Sequence, residues 1–286
     1  MELNVNSTFS LNNGIAMPVF GLGVFKASQE QAAAAVCCAL KMGYRMADTA
    51  RAYSNEQGVG EGIRQSGVPR DQIFVTTKLW KTDYQDAASG LKNSLRRLGL
   101  DYVDLLLLHW PFKGYGEAWM QLEELQRQGL CRSIGVSNFK IHHLKELAQG
   151  GATVTPQVNQ TEIHPVNTEE ELCNYCRQNG IQVEAYSPLG GEGRLLLDDP
   201  RLVGMREHYR RTPSQILLRW DIQRGIIAIP KSVHEERIRE NMGLFDFDLS
   251  QGDLQTISDM NSNDRRNYDP DRIDERPSWM EPKFSD

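Results

Sequence analysis

Cysteine is scarce in this chain and its count is odd: five among 286 residues, with Cys37 and Cys38 adjacent, Cys131 alone, and Cys173 three positions before Cys176. That arrangement is no disulfide framework. The Cys173/Cys176 pair lacks the second pair or neighbouring histidine that would complete a zinc shell. It also falls within a predicted helix that the Thr168-x-x-Glu171 pattern would open with a capping box, whereas a redox pair would open a helix directly after a strand. Long apolar runs are missing too, so no segment reaches the ~20 residues needed to span a bilayer. The start, MELNVNSTFSLNNG, has no basic region followed by an apolar stretch, and a cytoplasmic protein is expected. Positive charge is in deficit, 32 Lys and Arg against 38 Asp and Glu, which gives no electrostatic reason to expect nucleic acid or an anionic membrane as partner. No G-x-G-x-x-G opens a helix after a strand and no G-x-x-x-x-G-K-[ST] occurs, so neither a Rossmann unit nor a P-loop is indicated.

What is present is an alternation of short apolar runs and helical patterns, the sign of repeated βα units around a parallel sheet. Strands are expected at 19–23, 44–48, 73–78, 103–109, 133–136, 157–160, 182–186 and 226–229. Helices are expected at 29–41, 55–65, 85–98, 116–128, 141–148, 169–178, 213–223 and 235–241. Eight such units with no linker between them predict an α/β fold, a (β/α)8 TIM barrel filling 1–286 as a single domain. An Asn-Gly turn at Asn13-Gly14 predicts an N-terminal β-hairpin placed to plug the bottom of the barrel. Two additional helices are expected at 200–209 and 251–260. The tail, 261–286, is rich in Asp, Arg and Pro, with Trp279 and Phe284 as its large hydrophobes, and reads as a wrapping segment with partial disorder. No association segment stands out, so a monomer is expected.

In such a barrel reactive groups sit at the C-terminal ends of the strands. Asp48, Lys78 and His109 each end an apolar run, and Tyr53 follows in the loop beyond Asp48. Singly, each has a plain alternative: a helix cap, a solvated strand end, a buried histidine, a packed ring. Together they make a proton-delivery device. A phenol of pKa ~10 is a poor acid, and a nearby ammonium, Lys78, would stabilise its phenolate and lower that value. Asp48 would hold Lys78, and His109 would donate a hydrogen bond to a carbonyl and orient it. Phosphate binding in barrels favours the last βα loops and a helix start, which is where Lys231, Ser232 and Arg237 fall. Phe25, Trp80 and Trp110 follow the ends of strands one, three and four and would form an aromatic wall around a small substrate.

The segments GLGVFK (21–26), YRMADTARAYSNEQGVG (44–60), FVTTKLW (74–80), LGLDYVDLLLLHWP (98–111), IGVSNF (134–139), VNQTEIHP (158–165), AYSPLG (185–190) and IPKSVHEERIREN (229–241) carry a resemblance to the aldo-keto reductase superfamily over nearly the whole chain. The chain looks nearest its diketogluconate-reductase-like and prostaglandin-F-synthase-like branch. The resemblance implies NADPH-dependent reduction of aldehydes and ketones, with Asp48, Tyr53, Lys78 and His109 as the catalytic tetrad and Tyr53 as general acid. It implies that Tyr186 stacks on nicotinamide and that Ser137, Asn138 and Gln160 bond its carboxamide. Gly23, Val24, Ser187 and Leu189 would line the cofactor path, Lys231, Ser232 and Arg237 would take the extra phosphate, and Glu240 and Asn241 would reach the adenine. An Arg that both stacks on adenine and bonds a 2′-phosphate implies NADP preference. Phe25 stands where many members have Trp, and Gly191 where many have Ser, so pocket shape departs from the common pattern. Two other readings compete. One is a cofactor-bound regulatory subunit, against which an intact tetrad argues. The other is a barrel aldolase with Lys78 as Schiff-base nucleophile, against which the neighbouring Asp48 argues.

Overall fold

The computed structural model describes residues 3–191, 196–276, 281, 282 and 284. It opens with the hairpin β1 (Thr8–Ser10) and β2 (Ala16–Pro18), followed by β3 (Leu22–Gly23), α1 (Gln29–Lys41), β4 (Met46–Asp48), α2 (Glu56–Ser66), β5 (Phe74–Leu79) and α3 (Ala87–Leu98). Next come β6 (Val103–Leu108), α4 (Tyr115–Arg127), β7 (Cys131–Ser137), α5 (Ile141–Gln149), β8 (Val158–Glu162), α6 (Glu170–Gln178) and β9 (Gln182–Tyr186). The additional helix α7 (Pro200–Tyr209) precedes α8 (Pro213–Gln223), β10 (Ile227–Ala228), α9 (Glu235–Met242) and the second additional helix α10 (Gln251–Ser258). Strands β3 to β10 pair in parallel in sequence order. Parallel bridges Phe20↔Ala228 and Gly23↔Lys231 join the last strand to the first, with Gly21 N to Ala228 O at 3.0 Å and Gly23 N to Pro230 O at 3.1 Å. The ring therefore closes, as the eightfold alternation predicts.

Local chemistry explains the segments. The strands are apolar runs because both faces are covered: every residue of β6, VDLLLL, is buried. Helix α1 starts where Ser28 accepts from Gln31 N and the Gln31 side chain returns a bond to Ser28 N. Helix α8 starts on the same device, Thr212 with Gln215, and has Pro213 in its first turn. One expected cap is absent. Thr168 and Glu171 form no capping box, because α6 begins from Glu169, whose left-handed backbone (φ 50°) makes no side-chain cap bond, and the Thr168 hydroxyl is buried without a partner. Cys173 and Cys176 are free, buried thiols; burial pushes both up to about 12, far from reactive thiolates. Glycine matters most on α2, where a Cβ at Gly60 would lie 1.9 Å from the Leu98 carbonyl. Only a bare Cα lets α2 settle against its neighbour.

The hairpin seals the bottom. Its turn closes with Leu11 N on Ile15 O at 2.9 Å and a positive φ of 83° at Gly14. The Asn12 and Asn13 amides tack it to Pro156 O and Arg132 O, each at 3.1 Å. Leu11 and Met17 then pack against Met46, Phe74, Leu105, Val158 and Ile227, residues of the barrel interior. The tail crosses the opposite rim. Arg266 N and Asn267 N bond the Glu162 carboxylate at 2.7 and 2.9 Å, and Lys140 holds Asp269 and Asp271, each at 2.6 Å. Within the tail, 270–275 form 3-10 turns. Phe284 stacks beneath the Arg51 guanidinium, 4.1 Å from its ring centre, while Trp279 lies outside the described residues.

Candidate active site

Strand ends bring the four expected residues to one mouth. Asp48 closes β4, Lys78 sits one residue before the end of β5, and His109 follows β6. Tyr53 ends the 3-10 turn Arg51–Tyr53, which carries the chain back over that mouth. Lys78 Nζ donates to Asp48 Oδ1 at 2.6 Å, to the Thr49 carbonyl at 2.9 Å and to the Tyr53 hydroxyl at 3.4 Å. The Tyr53 and His109 rings meet edge-on with centroids 5.6 Å apart. Nothing of the Lys78 side chain reaches solvent. Such a buried ammonium needs a paired carboxylate and further acceptors to stay charged, and Asp48 and Thr49 supply them.

Electrostatics fix the protonation states. Burial alone would drive Lys78 to lose its proton, but the charge of Asp48 and its hydrogen bond outweigh burial and hold the ammonium above its ordinary value. Burial depresses His109 well below the usual imidazole range, with Lys78 and Arg276 adding to the effect. The imidazole is therefore neutral at physiological pH, and its Nδ1 is buried without a partner. Tyr53 departs from expectation. Its phenol is raised, not lowered, because burial exceeds the stabilising charge of Lys78, which Asp48 partly cancels. Tyr53 is consequently neutral and keeps its proton available to a group that offers a better acceptor than water.

Residues expected to hold a cofactor fall at or beyond the ends of β3, β7, β9 and β10, with Gln160 inside β8. Ser137 ends β7, and Asn138 beyond it has φ 65°. Asn138 Nδ2 donates to His109 O at 3.1 Å, and its Oδ1 accepts from the Tyr186 hydroxyl at 2.7 Å. Ser187 also has a positive φ, 51°. Non-glycine residues in this region are costly and cluster at ligand sites. Pro188 and Leu189 follow, while Gly23 and Lys231 face one another as bridge partners. A Cβ on Gly23 would come 3.0 Å from the Ile229 carbonyl, and Val24 N bonds Asp48 O at 3.2 Å. Lys231 and Arg237 are exposed, Ser232 and Asn241 buried. Glu240 accepts from the Thr212 hydroxyl at 2.7 Å. The first turn of α9 carries Glu235 and Glu236, which oppose the attraction of a helix N-terminus for anions, so cation strength here rests on Lys231 and Arg237.

Of the aromatic residues, Trp80 packs edge-on to His109 (centroids 5.2 Å) and Phe25 tilts over Tyr53 (5.0 Å). Phe25 is half exposed, at 50%, so it forms the outer lip. Trp110 is buried, its carbonyl accepting from the Tyr84 hydroxyl at 2.6 Å. The tail adds residues the strand pattern could not place: Arg276 lies over the Trp80 ring at 5.2 Å, and Glu281 accepts from Trp80 Nε1 at 3.1 Å. Glu184 is the other residue missed. It lies in the middle of β9, wholly buried, and accepts from Gln160 Nε2 at 2.7 Å, while the same nitrogen donates to Asp48 Oδ2 at 2.8 Å. An acid inside the apolar run VEAY was its available signal.

Comparison with known proteins identifies the family. The model of the aldo/keto reductase family matches residues 19–262. Glyoxal reductase of Bacillus subtilis is 47% identical over 277 residues, covering 96% of this chain and 99% of that protein. Methylglyoxal reductase DkgA of Escherichia coli is 42% identical over 270 residues, covering 93% and 98%. Among solved structures, an aldo-keto reductase of Bombyx mori in complex with NADP superposes with a TM-score of 0.89 at 36% identity, covering 95% of this chain and 98% of that one. With a family model spanning most of its length and relatives matching end to end, the chain belongs to the aldo/keto reductase family.

Proposed function

We propose that the protein is a cytoplasmic, monomeric, single-domain reductase that uses NADPH to convert small aldehydes and dicarbonyl compounds to alcohols. The observation that carries this reading is the buried chain Asp48–Lys78–Tyr53 ending beside a neutral His109. The residues fit a nicotinamide dinucleotide. Ser137, Asn138 and Gln160 offer buried polar groups for a carboxamide beside the Tyr186 ring, and Gly23, Val24, Ser187 and Leu189 would line its path toward Ser232, Glu240 and Asn241. Lys231 and Arg237 supply charge for a 2′-phosphate. When bound, the cofactor supplies hydride. The chain's own part is the proton: the neutral His109 orients the carbonyl oxygen toward the Tyr53 hydroxyl, which donates, and the phenolate left behind faces the Lys78 ammonium that Asp48 anchors. Trp80, Trp110 and Phe25 close an aromatic wall suited to a small substrate. That the relatives include a glyoxal reductase and a methylglyoxal reductase supports 1,2-dicarbonyl compounds as substrates of this chain.

A Schiff-base role for Lys78 is disfavoured, because a nucleophilic amine needs a lowered pKa and Asp48 holds this one up. The test is loss of reduced-nicotinamide absorbance with NADPH and methylglyoxal, comparing wild type with Tyr53→Phe. Removing the phenol oxygen should cost roughly 10²–10⁴-fold in kcat and leave NADPH binding in place. Turnover that survives the substitution would remove Tyr53 as the acid, and cofactor binding without turnover in either protein would favour a regulatory subunit.

A further inference from the structure

Glu184 has no part in the proton transfer described above, yet it is built into its floor. Gln160 and Glu184 are register partners on β8 and β9. One nitrogen, Gln160 Nε2, spans the barrel interior from the Glu184 carboxyl to Asp48 on β4 at 2.7 and 2.8 Å. Both amide hydrogens are thus committed to acid oxygens, which fixes the amide's orientation and leaves its carbonyl oxygen as the end available to a ligand. The other oxygen, Glu184 Oε1, is buried without any partner.

We propose that Glu184 is a positioning residue of the reductase reaction: it orients Gln160 and, by holding or releasing a proton inside the barrel, sets the charge against which Tyr53 donates. The inference rests on the reductase reading. The charge balance of the interior argues for the protonated form. Lys78 on β5 and Asp48 on β4 already neutralise one another, and Lys78 directs its hydrogens to Asp48, Thr49 and Tyr53, not to Glu184. Tyr53 faces the cluster from the loop after β4. From β10 the register partner is apolar, Ile227, and Leu105 and Leu107 on β6 and Val158 on β8 line the interior below with no charge. A second carboxylate here would have one neutral donor and a negative neighbour, so a proton on Oε1 is the less costly arrangement. Burial first, then the Asp48 charge, push the carboxyl up to about 8. Below that pH the cluster is electrically balanced. Above it, the added negative charge opposes formation of the Tyr53 phenolate, an influence already present among the causes that raise Tyr53.

The test compares wild type, Glu184→Gln and Glu184→Leu as full chains. Infrared spectra of the cofactor-free protein, taken across pH, should contain a buried carboxylic-acid stretch that fades near pH 8 and is missing in Glu184→Gln. With NADPH and methylglyoxal, the alkaline decline of kcat should move upward by about one pH unit or more in Glu184→Gln. Glu184→Leu, which frees Gln160, should bind NADPH several-fold more weakly and lose kcat, and the isosteric Gln should restore both. An infrared band unchanged by Glu184→Gln, or superimposable pH profiles, would overturn the proposal. If the Leu variant fails to fold by circular dichroism, the Gln variant alone decides. A wild type that reduces no carbonyl would sink the reductase reading, while the infrared arm would still report whether Glu184 carries the proton.

Discussion

Arg237 stands exposed in a helical turn whose other charges include Glu235 and Glu236, so an anion drawn there answers to side-chain cations more than to the helix. Charge-assisted bonds are worth about 1.5–3 kcal/mol. Arg237→Ala should therefore weaken NADPH binding by about tenfold or more while changing NADH binding little, as measured by quenching of tryptophan fluorescence; equal losses would falsify the 2′-phosphate assignment. At this scale the meeting of Asp48, Lys78 and His109 at one mouth was legible because each breaks an apolar run where a barrel strand must end. Glu184 breaks a run as well, but in its middle, where strand-end reasoning does not look. The protonation of Tyr53 was not legible either. Spacing places an ammonium near the phenol, but only the packed structure shows that burial outweighs it and that Asp48 spends part of its charge.

Elements were read within a few residues, since helical patterns and buried runs are local: α1, α7 and α8 span the residues expected of them. The anchors of the tail's described residues were not, because their partners are remote in sequence. Glu162 at the end of β8 accepts from Arg266 N, Asn267 N, the Asn267 amide and His164. Burial opposes ionisation of this carboxyl, yet these donors together hold it down at about 2. A folded value below the unfolded one, about 4.3, stabilises above pH 4.3, and that stabilisation drains away as pH falls through 2. Glu162→Gln should thus lower the thermal midpoint at neutral pH, and the gap from wild type should narrow steadily in acid. A gap independent of pH would mean that the tail is held by something other than the carboxylate's charge.

For the molecule as a whole, the two ends of the barrel are assigned different work. In barrel enzymes bottom residues hold the fold and top residues hold the chemistry. Met17, fully buried in the hairpin's contact with the barrel interior, supplies the test. Met17→Ala should cost about 2–5 kcal/mol in denaturant unfolding and leave kcat/KM for methylglyoxal unaltered; a large kinetic change would mean that the floor communicates with the mouth. The seam of the ring carries one more consequence. It joins β3 and β10, each two residues long, and Gly23 and Lys231, both in the proposed dinucleotide path, sit opposite one another across it. A ligand touching both would act as a clasp on a hoop. Its binding energy would then be felt as resistance to opening along this one line, and the amides of Gly21, Gly23 and Ala228 would become timekeepers of occupancy, slow to exchange with solvent hydrogen while the clasp is fastened.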